Sequence, residues 1–117
     1  MIGPLKTVVF DAPDIKGLAG FYVELVGFTE AYADDEWITL TGPAPWRVAL
    51  QLAPDHVPPR WPDPAYPQQY HMDITVADIE AAEEATLKLG ATRLPGGGSS
   101  FRVYADPAGH PFCLCWD

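Results

Sequence analysis

Apolar and polar positions alternate along this chain with two periods, one of a helix and one of a strand, and the order in which they come is repeated. Residues 5 to 11, LKTVVFD, form a short β-rich run, and Pro13 closes it by keeping the residue before it out of the helical region. Asp14 follows as an N-cap. Ile15, Leu18, Ala19, Tyr22, Leu25 and Val26 then recur at helical spacing, and Gly27 stands where a left-handed residue ends a helix. Gly17 and Gly20 weaken such a helix by up to about 1 kcal/mol each relative to alanine, so its apolar stripe must be stabilised by packing. Three strand-like runs come next, FTEAYA (28 to 33), WITLTG (37 to 42) and WRVALQLA (46 to 53), separated by Asp34-Asp35 and by Gly42-Pro43-Ala44-Pro45.

The second half repeats this order. YHMDITV (70 to 76) reads as a strand, Asp78 as a cap, and the stretch to Gly90 as a helix. ATRL (91 to 94), a Pro95-Gly96-Gly97-Gly98 turn, SSFRVYA (99 to 105), the turn Asp106-Pro107-Ala108-Gly109 and HPFCLCW (110 to 116) complete it. Asp14 and Asp78 are 64 residues apart and Gly27 and Gly90 are 63 apart, so the chain is a tandem of two β-α-β-β-β modules. The expected fold class is α+β, with a curved mixed sheet forming a cup and the helices on its outer face. A single domain spanning 1–117 is expected, with one module over about 1–53, a proline-rich connection over 54–69 and a second module over 70–117. That connection reads either as a linker or as a lid over a binding site.

Strand periodicity sorts the side chains by face. Val8 and Phe10, Val48, Leu50 and Leu52, Met72, Ile74 and Val76, and Phe112, Leu114 and Trp116 form apolar faces that must meet the helices. The opposite faces carry Thr7, Gln51, His71, Asp73 and Cys113, too polar for a dry core and suited to a ligand cup.

Composition narrows the possible partners. With 117 residues, 48% hydrophobic, the chain can bury a core without staples. A formal charge of −9 argues against nucleic acid or an anionic membrane as partner, because both demand a basic patch. There is no apolar run of membrane-spanning length, and MIGPLK lacks the apolar stretch of a signal peptide, so a cytoplasmic location is expected. Cys113 and Cys115 lie two apart on one strand face and are poorly placed to bridge each other, which fits a reducing compartment.

FYVELVGF (Phe21 to Phe28), ADPAGHPFCL (Ala105 to Leu114) and the run from Trp61 to Ala82, set within two βαβββ modules, resemble the vicinal oxygen chelate superfamily, and within it the glyoxalase-like subgroup. That superfamily includes glyoxalase I, extradiol dioxygenases, methylmalonyl-CoA epimerase and the bleomycin and fosfomycin resistance proteins. In its metal-dependent members four side chains, from the first and fourth strands of each module, bind one divalent metal. The resemblance places them at Thr7, Gln51, His71 and Cys113, where the family normally supplies His, Glu or Gln. His71 is a good ligand, Gln51 a weak one, Cys113 a ligand only as thiolate and Thr7 a poor one.

The resemblance thus implies a small-molecule binding protein of the glyoxalase/bleomycin-resistance type with a degenerate metal site, holding an apolar or aromatic ligand and needing no cofactor. The alternative is a lyase, isomerase or dioxygenase in which His71 serves as general acid/base or, with Gln51, binds a divalent metal such as Zn, Ni, Fe or Mn. His71 and Asp73, two apart in a strand, are expected to lie too far apart for a His-carboxylate bond without a bend. Trp61, Tyr66 and Tyr70 either stack on a planar ligand or pin the loop to the sheet. His110 is expected on the surface and His56 in solvent, and relatives that complete their clefts across a two-fold axis imply a homodimer.

Overall fold

The computed structural model describes residues 1–116 and divides into two compact units, Met1–His56 and Val57–Asp117. In the first unit β1 (Val8–Ala12), α1 (Ile15–Val26), β2 (Thr29–Ala33), β3 (Trp37–Thr41) and β4 (Arg47–Leu52) follow one another. The sheet order is β1-β4-β3-β2, with β1 parallel to β4 and the other pairs antiparallel. The second unit has β5 (Met72–Thr75), α2 (Ile79–Lys88), β6 (Thr92–Gly97), β7 (Phe101–Ala105) and β8 (Pro111–Cys115), in the order β5-β8-β7-β6. The α+β class and the paired βαβββ modules are therefore as the sequence pattern predicts. No helix among the described residues is long and apolar enough to cross a membrane.

Helix α1 starts and stops where its end residues dictate. The Asp14 carboxylate accepts the Gly17 N–H at 3.0 Å, and Gly27 takes φ 71° while its N–H bonds the Val23 carbonyl. Gly17 does more than weaken the helix, since a Cβ there would collide with the Asp14 carboxylate that caps it. Ile15, Leu18, Ala19 and Tyr22 are buried, as are Phe10, Ala12, Ile38, Leu40, Val48 and Leu50 on the strands. This apolar layer is the core of the first unit.

The second unit is stapled differently. Phe112 and Leu114 are buried, but Arg102 and Tyr104 of β7 share their face and meet the acidic side of α2. Arg102 reaches Glu80 at 2.7 Å and Glu83 at 3.0 Å, Arg93 reaches Glu83 at 2.7 Å, and the Tyr104 hydroxyl also donates to Glu83. Only Thr86 of α2 is fully buried, so polar bonds carry much of the contact.

One expectation about a turn needs correction. Pro95, Gly96 and Gly97 are not a turn but the end of β6, whose register against β7 shifts between Arg93 and Gly97. Glycine permits this, with φ of 99° at Gly96 and 129° at Gly97, and Pro95 is tolerated because β6 is an edge strand. The reversal itself is tightened by the Gly98 N–H bonding the Phe101 carbonyl. Residues 57–69 of the proline segment belong to the second unit, where Pro58 packs against Gly109 and the Trp61 indole donates to the Pro95 carbonyl at 3.1 Å.

Candidate functional site

On the face of the second sheet opposite α2, parallel pairing sets Asp73 of β5 opposite Cys113 of β8, and antiparallel pairing sets Cys113 opposite Val103. Period-two alternation then brings His71, Thr75, Pro111, Cys115 and Phe101 to the same face. A cleft of about 460 Å³ opens there. Its polar lining is Gln68, His71, Asp73, Ser100, Cys113 and Cys115; its apolar walls are Trp61, Phe101, Val103, Pro111 and Trp116.

His71 stands just ahead of β5 rather than within it, so its ring is not bound to the regular pleat. Its Nε2 lies 3.4 Å from Asp73 Oδ1, which corrects the expectation that the pair is out of reach. Cys113 is buried, and its thiol is pushed up to about 11, first by burial and then by the neighbouring Asp73 carboxylate and Cys115. One ligating atom from each of His71, Asp73 and Cys113 lies within 4.8 Å of the others. The arrangement offers a proton-exchanging imidazole, an acceptor carboxylate and a neutral thiol at the base of an aromatic-walled cleft.

Thr7 and Gln51 lie in the first unit. Thr7 precedes β1 and borders a smaller hollow on its own sheet, whereas Gln51 pairs with Asp11 and Trp37 on the same face and is exposed. The repeat fixes their counterparts. Val8 pairs with Val48 and Met72 with Phe112, so both parallel pairs keep one register and Thr7 matches His71. By the same register Gln51 matches Cys115, and Cys113 matches Ala49.

Other residues fall outside the cleft or enter it unannounced. His110 is not a surface ornament: its Nδ1 lies 2.8 Å from the buried Asp106 carboxylate, which also accepts the N–H groups of Ala108 and His110 and so closes the turn. His56 is half-buried rather than solvated. Tyr66 carries the Arg60 guanidinium over its ring at 4.3 Å, away from a stacking role in the cleft. Gln68, Ser100, Phe101 and Val103 were not singled out in the sequence, although the alternation of β7 marks Phe101 and Val103 as neighbours of Cys113; Cys115 shares the Cys113 face as expected, whereas Trp116, expected on the helix-facing side with Phe112 and Leu114, lies beyond the end of β8 and lines the cleft instead.

Residues 7–115 match the model of the glyoxalase-like domain, which is nearly the whole chain. The chain belongs to the glyoxalase-like domain family. It is thereby a member of the vicinal oxygen chelate superfamily. No curated protein matches it in sequence. Among solved structures it is similar to a glyoxalase/bleomycin resistance protein/dioxygenase family enzyme from Burkholderia phytofirmans, at 16% identity and a TM-score of 0.75, over 97% of this chain and 98% of that one. It is also similar to the fosfomycin resistance protein FosX from Mesorhizobium loti, at 16% identity and a TM-score of 0.73, over 98% and 92%. An integron cassette protein from the mobile metagenome of the Halifax Harbour sewage outfall shares 21% identity, with a TM-score of 0.68 over 99% and 100%. Identities this low carry the fold and nothing finer.

The metal that the superfamily implies can be tested against the donors of this glyoxalase-like chain. A hard cation wants several anionic oxygens, and the second sheet offers one carboxylate. An imidazole, a carboxylate and a thiolate instead suit a borderline ion such as zinc, which accepts three protein ligands and an open fourth position. Binding would displace the proton that Cys113 holds at neutral pH.

Proposed function

We propose that this glyoxalase-like protein binds a small apolar or aromatic molecule in the cleft of its second unit, with the metal site of its superfamily degenerate. The observation that supports this reading is the cleft itself: about 460 Å³, within the roughly 300–1,000 Å³ usual for small-molecule sites. Trp61, Phe101 and Trp116 supply flat apolar walls, and His71, Asp73 and Gln68 supply the few polar groups that orient a guest.

A second reading is favoured by the convergence of His71, Asp73 and Cys113. Here the chain is an enzyme of lyase, isomerase or dioxygenase type, in which the three side chains would hold a zinc-like ion and the ion would supply Lewis acidity. His71, free of the metal, would instead move a proton to or from the guest with Asp73 orienting its ring.

One experiment serves both readings. A thermal-shift screen of planar aromatic compounds is run on protein purified without chelator, whose metal content is measured in the same preparation. At least one compound should stabilise the wild type, and His71→Ala should weaken its binding by about tenfold or more while the melting of the free protein stays within about 0.5 kcal/mol, since the side chain is half-exposed. Equal binding by His71→Ala would remove the site assignment. Near-stoichiometric zinc, nickel, iron or manganese would replace the metal-free reading by the second.

A further inference from the structure

The proline segment supplies one wall of the cleft in the second unit, and that wall is built as a separate piece. Over residues 60–66 the backbone closes on itself. The Arg60 N–H donates to the Tyr66 carbonyl at 2.8 Å, the Asp63 N–H to the Arg60 carbonyl at 2.6 Å and the Tyr66 N–H to the Asp63 carbonyl at 3.1 Å. The Asp63 carboxylate accepts the Ala65 N–H at 2.9 Å, and the Arg60 guanidinium covers the Tyr66 ring. A loop bonded in this way keeps its shape without help from the sheet. It receives little help: every residue from Arg60 to Pro67 is exposed, so packing does not hold the stretch down.

One bond fastens the loop. Among the described residues, the Trp61 indole N–H to the Pro95 carbonyl, at 3.1 Å, is the single hydrogen bond or ion pair that runs from residues 60–66 to the rest of the unit. The irregularity of β6 provides its acceptor. Arg93 pairs with Tyr104 and Gly97 with Arg102, so Leu94, Pro95 and Gly96 face Val103 alone and leave the regular ladder. Pro95 has no N–H that would need a partner there, and the indole stands against Gly96. Trp61 also lines the cleft, so the side chain that fastens the loop is the one that borders a guest. On either side of the loop the chain is better held: Pro58 packs against Gly109, and Gln68 is half-buried and lines the cleft.

We propose that residues 60–66 form a lid that moves as one piece over this cleft, with Trp61 as its latch and its guest-facing wall. The inference rests on the reading of the cleft as a guest site and adds how a guest is admitted and kept. Breaking the indole bond releases the aromatic wall, and re-forming it closes the wall over the guest. The indole has one donor, which Pro95 engages, so the closed wall offers the guest an apolar face only. Rates of entry and exit then follow the fraction of time for which the latch is open.

Trp61→Phe keeps an apolar ring and removes the N–H. In 15N-labelled protein the Trp61 indole signal is assigned by its loss in this variant. In the free wild type that N–H should exchange with water about three- to tenfold more slowly than the N–H of the exposed Trp46, the factor expected of one hydrogen bond. In Trp61→Phe the amides of Arg60, Asp63 and Tyr66 should keep their wild-type exchange rates, because the loop stays closed on itself. The probe guest is 2-naphthol, planar and neutral, with its rates read from line shapes. Association and dissociation should both rise about three- to tenfold in Trp61→Phe, with the dissociation constant within about threefold of the wild type. A fixed wall would leave association unchanged and raise dissociation alone. That pattern, a Trp61 N–H exchanging as fast as that of Trp46, or loss of protection at the three loop amides would each overturn the lid. If 2-naphthol leaves the wild-type spectrum unmoved, the cleft reading fails for this guest, and the two exchange measurements decide the lid by themselves.

Discussion

At the scale of single residues, Cys113 shows how the environment sets chemistry. Its side chain is 6% exposed, and burial, reinforced by the Asp73 carboxylate, raises the thiol from its usual 9.0 to about 11. The folded state thus holds this proton more tightly than the unfolded chain does. The associated stability is fully present below pH 9 and is lost as pH rises through about 11. In a Cys115→Ser background, iodoacetamide labelling of Cys113 should therefore be slow at pH 8 and climb between pH 9 and 11. A rate at pH 8 equal to that of a free thiol would show that the sulfur is neither buried nor beside a carboxylate. The identity of the residues around it was partly legible beforehand, because period-two alternation puts His71, Asp73 and Cys113 on one face. Their approach was not: strand spacing alone separates His71 from Asp73, and the 3.4 Å contact arises because His71 lies ahead of the strand.

At the scale of elements, α1 was readable from end to end because each of its boundaries is marked by one residue, Asp14 and Gly27, with an apolar stripe between them. Helix α2 has its Asp78 cap, which accepts the N–H groups of Glu80 and Ala81, but its packing is hidden in the sequence. Arg102 and Tyr104 occupy positions in β7 that alternation assigns to a face without saying whether the facing helix is apolar or acidic. Glu83 is the hub of that contact. Hydrogen bonding from the Tyr104 hydroxyl, and then from Arg102 with the charge of Arg93, holds its carboxyl below the usual 4.5 despite partial burial. Glu83→Gln should lower stability at pH 7 by about 1–3 kcal/mol, since it leaves Arg102 and the buried Tyr104 hydroxyl with a weaker acceptor. A depressed carboxyl contributes above the unfolded value and stops contributing as pH falls through the folded one. The gap between wild type and Glu83→Gln in thermal melts should accordingly shrink below about pH 4.5. Identical melts at pH 7 would mean that the network is solvated and contributes nothing.

At the scale of the whole chain, the tandem was the most legible feature, because two caps and two helix-ending glycines recur at nearly one offset and the strand pairs keep that register. The role of the proline segment was not legible. Proline marks a stretch without regular structure but does not say which surface it covers, and residues 57–69 belong to the second unit through contacts such as those of Pro58 and Trp61. Assembly is the remaining question at this scale. We expect a homodimer, because a chain of 12.8 kDa built from two small units leaves Tyr32, Trp46 and Val57 more than half exposed, and a two-fold partner is the commonest way for such apolar surface to be covered. Light scattering at micromolar concentration should then return twice the chain mass, and labelling the protein at Trp46 should report slower solvent quenching than a free indole shows. A mass of one chain with a fully quenchable Trp46 would mean that these side chains are singly exposed residues of a monomer, and that each ligand site must be completed by the chain that carries it.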